Sequence, residues 1–207
     1  SAASDVYKRQ AKIYKLNEEN KYSDAIVQFL SKNTKQGIIR LVDYGIYKNR
    51  YFYIFPIYEK GSINQYKLNF SSNEVRLNKY IRILNEALNC IHEAGFIHSD
   101  IKPNNILWDE DNDIPVISDF GSVTLGNENL SDSRSITVAA DKNTEGYLAP
   151  DAAVYAAVKG NADRKSRIIV ARKTDYFALG ISLCEMYVNE PGFKLFKDNA
   201  DLVLKLN

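Results

Sequence analysis

Two short segments in the middle of the chain hold the residue types that phosphoryl transfer requires. The first, His98–Leu107, places the carboxylate of Asp100, the amine of Lys102 and the carboxamide of Asn105 in one loop. The second holds Asp119, nineteen residues after Asp100, at the end of an apolar run. One carboxylate could orient an attacking hydroxyl, a cation could meet the transferring phosphate, and a carboxylate and an amide oxygen could hold divalent metal. The spacing therefore predicts phosphoryl transfer from a nucleotide.

The flanking sequence indicates which elements position these groups. Ile106–Trp108 and Val116–Ile117 are apolar, β-prone stretches on either side of the acidic run Asp109–Asp113, which predicts a hairpin with a solvated turn. A calcium-binding loop is the alternative interpretation of the acidic run. Such a loop needs Gly at its sixth position and Glu at its twelfth, where this chain has Ile114 and Phe120. We therefore favour the hairpin.

Apolar periodicity divides the rest of the chain into a β-rich beginning and a helical remainder. Alternating or continuous apolar residues predict strands over Ala11–Tyr14, Ile38–Tyr44 and Tyr51–Ile57. Helical spacing predicts a short helix over Tyr22–Leu30. These assignments give an α+β fold class.

A long amphipathic helix is predicted immediately before the catalytic segment. It starts near Asn73, where Ser71 or Ser72 could cap it, and it ends at the natural C-cap residue Gly95. His92 lies near its end and is expected to have a structural role rather than to bind a ligand.

Composition excludes several classes of function. The chain has 207 residues, of which 45% are apolar and 26% charged, with a net charge of +1. Without a basic excess, nucleic acid binding is not expected. The longest apolar run, Ala152–Val158, is too short to span a bilayer, and no signal peptide is found. Cys90 and Cys184 predict buried thiols in a reducing compartment, so we expect a cytoplasmic location.

Four segments resemble motifs of the eukaryotic-type (Hanks-type) serine/threonine protein kinase domain. His98–Leu107 resembles the catalytic loop, and Ile117–Gly121 resembles the segment containing the metal-binding Asp-Phe-Gly. Thr144–Asp151 resembles the Thr-x-x-Tyr-x-Ala-Pro-Glu stretch, with Asp in place of Glu, and Thr174–Gly180 resembles the start of the large buried helix. The resemblance implies a bilobal protein-kinase-like fold with a partial β-rich N-lobe and a mostly α-helical C-lobe.

The resemblance also implies a role for each catalytic side chain. Asp100 would orient the substrate hydroxyl and take its proton, and Lys102 would offset charge on the γ-phosphoryl group of ATP. Asn105 and Asp119 would hold Mg²⁺. Thr144 resembles the threonine that contacts the catalytic Asp and Lys in serine/threonine kinases, so a protein substrate phosphorylated on Ser or Thr is implied.

Five further residues are expected to bind the nucleotide. The resemblance implies that Lys12 contacts the α- and β-phosphates and that Phe55 lies at the back of the adenine pocket. Pro56 would supply a backbone carbonyl and Tyr58 an N–H, both to the adenine. Ser62, shortly after the hinge, is included in the same nucleotide-binding set.

Three positions deserve comparison with the family pattern. Kinases place a Glu in the first helix to pair with the strand lysine. Counting back from Ile38–Leu41 places the corresponding position near Ile26, and the nearest acidic residue is Asp24. Ser99 stands where many regulated kinases have the Arg that pairs with a phosphorylated activation loop. Asp175 resembles the buried acid that ties down the backbone of the catalytic loop. The first departure puts the Lys–Glu ion pair in doubt, and the second predicts independence from activation-loop phosphorylation.

Residues 1–10 are expected to lie outside the natural protein. Asp5–Gln10 back-translates to GAT GTG TAT AAG AGA CAG, which resembles a transposase adaptor used in sequencing libraries. We therefore hypothesise a sequencing scar, against the alternative of a natural polar N-terminus. Residues 11–58 would form a partial N-lobe with the hinge and 59–207 a C-lobe. We expect the domain to be incomplete at both ends, so that nucleotide affinity and C-lobe stability should suffer.

Two segments outside the motifs are expected to lack regular structure. Residues 126–143 are rich in Ser, Asn and Asp and would form a mobile activation segment. Basic residues cluster between Arg164 and Lys173 and are best explained by a solvated loop, with docking of an acidic substrate or regulator as the alternative.

Two other functions remain open from the sequence. A pseudokinase acting as a binding scaffold would explain the missing helix acid and the Asp at position 151, although Asp100, Lys102, Asn105 and Asp119 are all present. A small-molecule kinase of the aminoglycoside or choline type shares the catalytic Asp and Asn. Such enzymes generally lack the Thr-x-x-Tyr-x-Ala-Pro-Glu stretch.

Overall fold

The computed structural model describes the parts of the chain that surround the predicted catalytic loop. The described residues are 9–15, 22–66, 73–125, 136–139, 147, 167–170 and 172–188. Within these ranges, no helix is long and apolar enough to cross a membrane.

The β-rich beginning is a three-stranded antiparallel sheet with one helix. Strand β1 (Arg9–Lys15) pairs with β3 (Arg50–Pro56), which also pairs with β2 (Asp43–Tyr47), so the order is β1-β3-β2. Helix α1 (Asp24–Lys32) connects β1 and β2 in sequence, and the Ser23 side chain accepts a hydrogen bond from the backbone N–H of Ile26. The sheet carries Lys12 in its edge strand β1, opposite Tyr53.

The prediction of a strand over Ile38–Tyr44 is largely wrong. The regular strand begins only at Asp43, because residues 37–39 bond to a different part of the chain. Ile39 N–H donates to the Ile117 carbonyl at 2.9 Å, and Ile117 N–H donates to the Gly37 carbonyl at 2.8 Å. The apolar run therefore joins the sheet region to the predicted catalytic hairpin.

Three helices lie in the described part of the chain after β3. They are α2 (Ile63–Tyr66), α3 (Glu74–Glu93) and α4 (Arg172–Val188). The predicted caps Ser71 and Ser72 lie outside the described residues; the structure has Asn73 as the N-cap of α3, with its side chain accepting from Arg76 N–H. The predicted end is confirmed, because Gly95 has φ +82 and its N–H donates to the His92 carbonyl.

Three two-stranded antiparallel pairs complete the described elements. In chain order their strands are β4 (Phe96–Ile97), β5 (Ile106–Asp109), β6 (Ile114–Ile117), β7 (Thr124–Leu125), β8 (Ile136–Ala139) and β9 (Arg167–Val170). Strand β4 pairs with β7, β5 with β6, and β8 with β9. The hairpin predicted from the acidic turn is confirmed as β5–β6.

The β8–β9 pair corrects two expectations. β8 lies inside the segment 126–143, for which no regular element was predicted. β9 lies inside the basic cluster, which was predicted to be a loop. Both strands contain runs of β-branched residues, Ile136–Val138 and Ile168–Val170, which favour a strand. The polar and charged residues around these short runs outweighed that signal in the sequence analysis.

A single apolar core joins the sheet region to the helices. Its fully buried side chains include Leu30 of α1, Leu84 and Leu88 of α3, and Ile106 of β5. Helix α3 packs against β6 and so covers one face of the hairpin. The prediction of two buried thiols is wrong for Cys184, which is exposed, and Cys90 is only partly buried.

Candidate active site

The β5–β6 hairpin brings the two predicted metal ligands together. Ile106 pairs with Ile117, so the residues just outside this pair, Asn105 and Ser118, lie side by side. Ser118 N–H and its hydroxyl both donate to the Asn105 carbonyl, at 2.8 and 2.9 Å. Asp119 follows directly, so residues fourteen positions apart in sequence share one end of the hairpin.

The catalytic loop gathers two of the predicted side chains, Lys102 and Asn105, around Asp100. Lys102 Nζ lies 2.9 Å from Asp100 Oδ2, and Asn105 Nδ2 donates to the same oxygen at 2.7 Å and to the Asp100 carbonyl at 2.8 Å. Pro103 opens a short 3₁₀ turn, Pro103–Asn105, that is closed by Asn105 N–H donating to the Lys102 carbonyl. Because proline fixes its own φ, this turn holds the carboxylate, amine and amide in a defined order.

The base of this loop is tied to helix α4 by a buried carboxylate. Asp175 is 1% exposed and accepts hydrogen bonds from His98 N–H and Ser99 N–H, each at 2.8 Å. His92 Nε2 donates to the same carboxylate at 2.9 Å. The expected contact between Asp175 and the catalytic-loop backbone is therefore confirmed, and His92 has the structural role that the sequence favours.

His98 links the loop to the segment that holds Asp119. Its Nε2–H donates to the Ser118 carbonyl at 3.0 Å, and its ring packs edge-on against Phe120 with centroids 5.0 Å apart. Complete burial lowers the pKa of His98, so the ring is neutral at physiological pH. With Nε2 donating, Nδ1 is left to accept from Asp100 N–H, which lies 3.4 Å away.

Asp119 faces the sheet through an ion pair with Lys12. The Lys12 Nζ and Asp119 Oδ1 atoms are 2.7 Å apart, and Asp119 adopts a left-handed backbone with φ 61°. Burial would raise the pKa of the Asp119 carboxyl, but the Lys12 ammonium outweighs it and holds the pKa below its usual range. The carboxylate is thus charged at neutral pH and can bind a cation.

This ion pair predicts a measurable acid dependence. Because the folded-state pKa of Asp119 is depressed, the pair stabilises the fold fully above the ordinary carboxyl pKa, near 4, and the contribution is lost as pH falls through the folded pKa. Both side chains are partly exposed, so the effect should stay within about 1 kcal/mol. Urea unfolding of wild type and Lys12→Met at pH 7 and pH 3 should show a smaller difference between the two proteins at pH 3. An equal difference at both pH values would contradict this assignment.

The residues expected to bind adenine lie along the end of β3 and just beyond it. Phe55 is 3% exposed and belongs to the core, while Pro56 ends the strand. Burial, with a smaller contribution from the Asp109 charge, raises the pKa of the half-buried Tyr58 to about 12. The Tyr58 carbonyl accepts from Gly61 N–H at 2.9 Å, which turns the chain toward α2.

Ser62 has a clear local role in this turn. It is buried, and its carbonyl accepts from Gln65 N–H at 2.9 Å at the start of α2. Gln65 N–H also lies 3.4 Å from the Ser62 hydroxyl oxygen, and the Gln65 side-chain oxygen accepts from Ser62 N–H at 2.9 Å. This exchange is the reciprocal pattern of a capping box. Contact of Ser62 with a nucleotide stays a prediction.

Two further predicted residues have different outcomes. Thr144 lies outside the described residues. Asp24 is exposed in the first turn of α1, and the ion pair of Lys12 goes to Asp119.

The donor set suits magnesium in the presence of a phosphorylated ligand. Both hydrogen bonds described for the Asn105 side chain use its nitrogen, which leaves the amide oxygen to act as a ligand beside the Asp119 carboxylate. Among the described residues, no group of three or more His, Cys, Asp or Glu side chains could form a protein-only cage. Mg²⁺ is commonly held by one or two protein oxygens together with substrate phosphates, so these residues fit the ion.

Sequence reasoning missed two contributors to the site. Ser118 aligns Asn105 through two hydrogen bonds, and Tyr22 lies buried near Asp119. The position of Ser118 one residue before Asp119 could have suggested its role. No local pattern points from Tyr22 to a residue almost a hundred positions later.

Comparison with known proteins agrees with this geometry. A family model described as a protein kinase domain matches residues 6–206. Dual specificity protein kinase TTK of Mus musculus is 31% identical over 186 residues, covering 87% of this chain and 20% of that protein. Probable serine/threonine-protein kinase samkA of Dictyostelium discoideum is 27% identical over 206 residues, covering 94% of this chain and 29% of that protein. The chain spans less than a third of the length of either relative.

The family match and the described site lead to the same conclusion. The match extends over nearly the whole chain, and the α+β composition, with a sheet-containing beginning and a helical remainder, is that of the kinase-like fold. The chain belongs to the protein kinase domain family.

Proposed function

We propose that this domain transfers the γ-phosphoryl group of ATP to serine and threonine hydroxyls of proteins. The observation that carries the proposal is the hairpin end, where Ser118 holds Asn105 beside Asp119. Asp100 and Lys102 lie in the loop that precedes this hairpin and contact Asn105 or each other. An acceptor site, a cation and two metal ligands are thereby joined in one small network.

Asp100 would orient the acceptor hydroxyl and accept its proton. Its carboxylate is oriented by Asn105 Nδ2 and by Lys102 Nζ, so a hydroxyl placed against it has a defined direction of attack. The hydroxyl oxygen forms a bond to the γ-phosphorus, the bond from that phosphorus to the β-phosphate oxygen breaks, and the hydroxyl proton passes to Asp100. Positioning and electrostatics supply most of the acceleration in such a reaction.

The phosphates would lie between Lys12 and the loop. Because Lys12 Nζ is 2.7 Å from Asp119, a phosphate bound to the ammonium sits beside the metal-binding carboxylate. Mg²⁺ would offset the negative charge on the phosphates when bound. Lys102 offers a second positive charge on the acceptor side, and Phe55, Pro56 and Tyr58 would receive the adenine.

The preference for Ser and Thr rests first on the resemblance of Thr144 to the threonine of serine/threonine kinases. It rests also on similar proteins such as serine/threonine-protein kinase Kist of Homo sapiens. That protein is 34% identical over 103 residues, which cover 49% of this chain and 22% of Kist. The relative from Mus musculus is named a dual specificity kinase. The test is transfer from labelled ATP to matched peptides that differ only in carrying Ser, Thr or Tyr. We expect label in the Ser and Thr peptides; label in Tyr alone, or only in an added aminoglycoside or choline, would refute the proposal.

Activity should not require phosphorylation of the activation segment. Ser99 stands where a phosphate-binding Arg would be needed, and its hydroxyl donates to the Ile97 carbonyl at 3.3 Å. A serine at this point provides no cation for a phosphate. Phosphatase treatment of the active protein, followed by removal of the phosphatase, should leave the rate unchanged relative to mock treatment. Loss of activity that returns on rephosphorylation would contradict this expectation.

A further inference from the structure

The outer edge of strand β2 is open in the described part of the chain. Strand β3 pairs with one side of β2, and no other described strand pairs with it. Open edges attract further strands, and proteins usually protect them with Lys, Pro or bulges. Here three of the five β2 residues are large side chains that are half exposed or more: Tyr44 (50%), Ile46 (60%) and Tyr47 (65%). The strand therefore presents large, mainly apolar side chains beside an open backbone.

The turn after β2 determines which backbone groups face this edge. A two-residue turn, Lys48–Asn49, joins β2 to β3, and both of its residues have positive φ. The pair that closes such a turn, here Tyr47 and Arg50, is hydrogen bonded, and hydrogen-bonded pairs then alternate along the hairpin. Every second residue of β2 counted from Tyr47 therefore bonds to β3. The N–H and C=O groups of Tyr44 and Ile46 point to the open edge.

The order of residues in β2 suits antiparallel pairing with a second copy of the same strand. With the two-fold axis at Gly45, Tyr44 of one copy faces Ile46 of the other. Both residues direct their backbone groups outward, so the two symmetry-related pairs form two hydrogen bonds each. An aromatic side chain opposite a β-branched one is a favourable cross-strand pair. Gly45 faces itself at the axis and adds no bulk where the strands come closest.

The charges at the two ends of β2 complement each other in the same register. Asp43 of one copy faces Tyr47 of the other, and Lys48 Nζ lies 5.2 Å from the centroid of that Tyr47 ring. Each copy therefore brings a carboxylate to the ammonium of its mate. Within one copy the Asp43 carboxylate accepts from Tyr44 N–H at 2.8 Å. In the pair this N–H bonds to Ile46 of the second copy, which releases the carboxylate for Lys48.

We propose that the open edge of β2 binds the same edge of a second copy of this chain, antiparallel and with the two-fold axis at Gly45. The two three-stranded sheets then form one six-stranded sheet. Because each copy uses the same surface, association stops at the dimer. Each strand supplies five residues, whereas a standard interface uses about 20–30 residues a side. The dimer is therefore weak and forms as protein concentration rises. The inference does not depend on the proposed function.

The test measures the dimer fraction and backbone exchange of the protein that contains this sequence over a series of concentrations. Sedimentation velocity should show more dimer as concentration rises, and amide hydrogen exchange at Ile46 should slow in parallel, because its N–H is bonded only in the dimer. Ile46→Lys should weaken association at least about tenfold, because an edge lysine opposes strand pairing. The matched control is Ile13→Lys, the same change at an equally exposed position (59%) of β1. The control should associate like wild type.

Charge reversal tests the register independently of folding. Asp43→Lys should weaken association at least about tenfold, because it places two cations together. Addition of Lys48→Asp to this variant should restore wild-type association, since opposite charges then face each other again. Both positions are exposed. Failure of the double variant to recover would overturn the register on which the inference rests.

Three other outcomes would overturn the inference. The first is a monomer at every concentration with fast exchange at Ile46. The second is slow exchange at Ile46 that does not vary with concentration, which would mean that another segment of the same molecule covers the edge. The third is a dimer that survives Ile46→Lys or is lost equally in Ile13→Lys, which would place the contact on another surface. Transfer of phosphate to Ser or Thr is measured separately and is unaffected by any of these results.

Discussion

Replacing Asp100 with asparagine should lower the rate of phosphoryl transfer by about a hundred- to ten-thousandfold, the usual contribution of a positioned acid–base group. The asparagine keeps the shape of the side chain but cannot accept the hydroxyl proton. It also replaces the carboxylate, whose Oδ2 atom now contacts Lys102 Nζ and Asn105 Nδ2, by a neutral amide. The loop therefore loses a negative charge. Affinity for ATP should change little, because the contacts described for the Asp100 side chain are within the loop.

The measurement is the steady-state rate with a Ser-containing peptide, with KM for ATP determined in parallel. Asp111→Asn is the matched control, since it makes the same chemical change at an exposed position in the hairpin turn. The control should retain the wild-type rate. An Asp100→Asn protein with more than about a tenth of that rate would contradict the assigned role, since it exceeds what loss of such a group permits.

Replacing Asp175 with alanine should destabilise the fold by about 3–5 kcal/mol. The carboxylate is 1% exposed and accepts from His98 N–H, Ser99 N–H and His92 Nε2. Alanine leaves three buried donors without a partner, and each unsatisfied group carries a desolvation penalty. The catalytic loop begins at two of these donors, so the remaining folded protein should also lose activity.

Chemical denaturation monitored by the fluorescence of the single tryptophan, Trp108, would measure this loss. Ser182→Ala is a control on the same helix: its buried hydroxyl donates to the Ala178 carbonyl at 2.7 Å. The Ala178 carbonyl lies within the helix and keeps its backbone partner when the hydroxyl is removed. Loss of the hydroxyl bond should therefore lower the free energy of unfolding by about 1 kcal/mol or less. Equal destabilisation by the two substitutions would show that Asp175 does not anchor the loop.

The predictable part of the site is the part encoded by local spacing. The turn Asp109–Asp113 between two apolar stretches was enough to predict the β5–β6 hairpin, and the hairpin brings Asn105 beside Ser118. The end of α3 followed from Gly95, because a helix that ends with a left-handed residue favours glycine. In these cases the determinants lie within a few residues of the feature.

The unpredictable part depends on contacts between distant segments. The apolar run from Ile38 has the composition of a strand, yet its first two residues pair with Ile117, and bonding to the sheet begins only with Val42 N–H, which donates to the Ile54 carbonyl. Strand propensity reports how well side chains suit a pleated surface; it does not identify the partner strand.

The most direct test of kinase activity uses the protein that contains this sequence. It is incubated with γ-labelled ATP, Mg²⁺ and a generic protein substrate, beside an Asp119→Asn variant that lacks the charged metal ligand. We predict magnesium-dependent label on serine and threonine of the substrate, and its loss in the variant by several orders of magnitude. Absence of transfer by the wild-type protein, or transfer that persists undiminished in Asp119→Asn, would contradict the assignment.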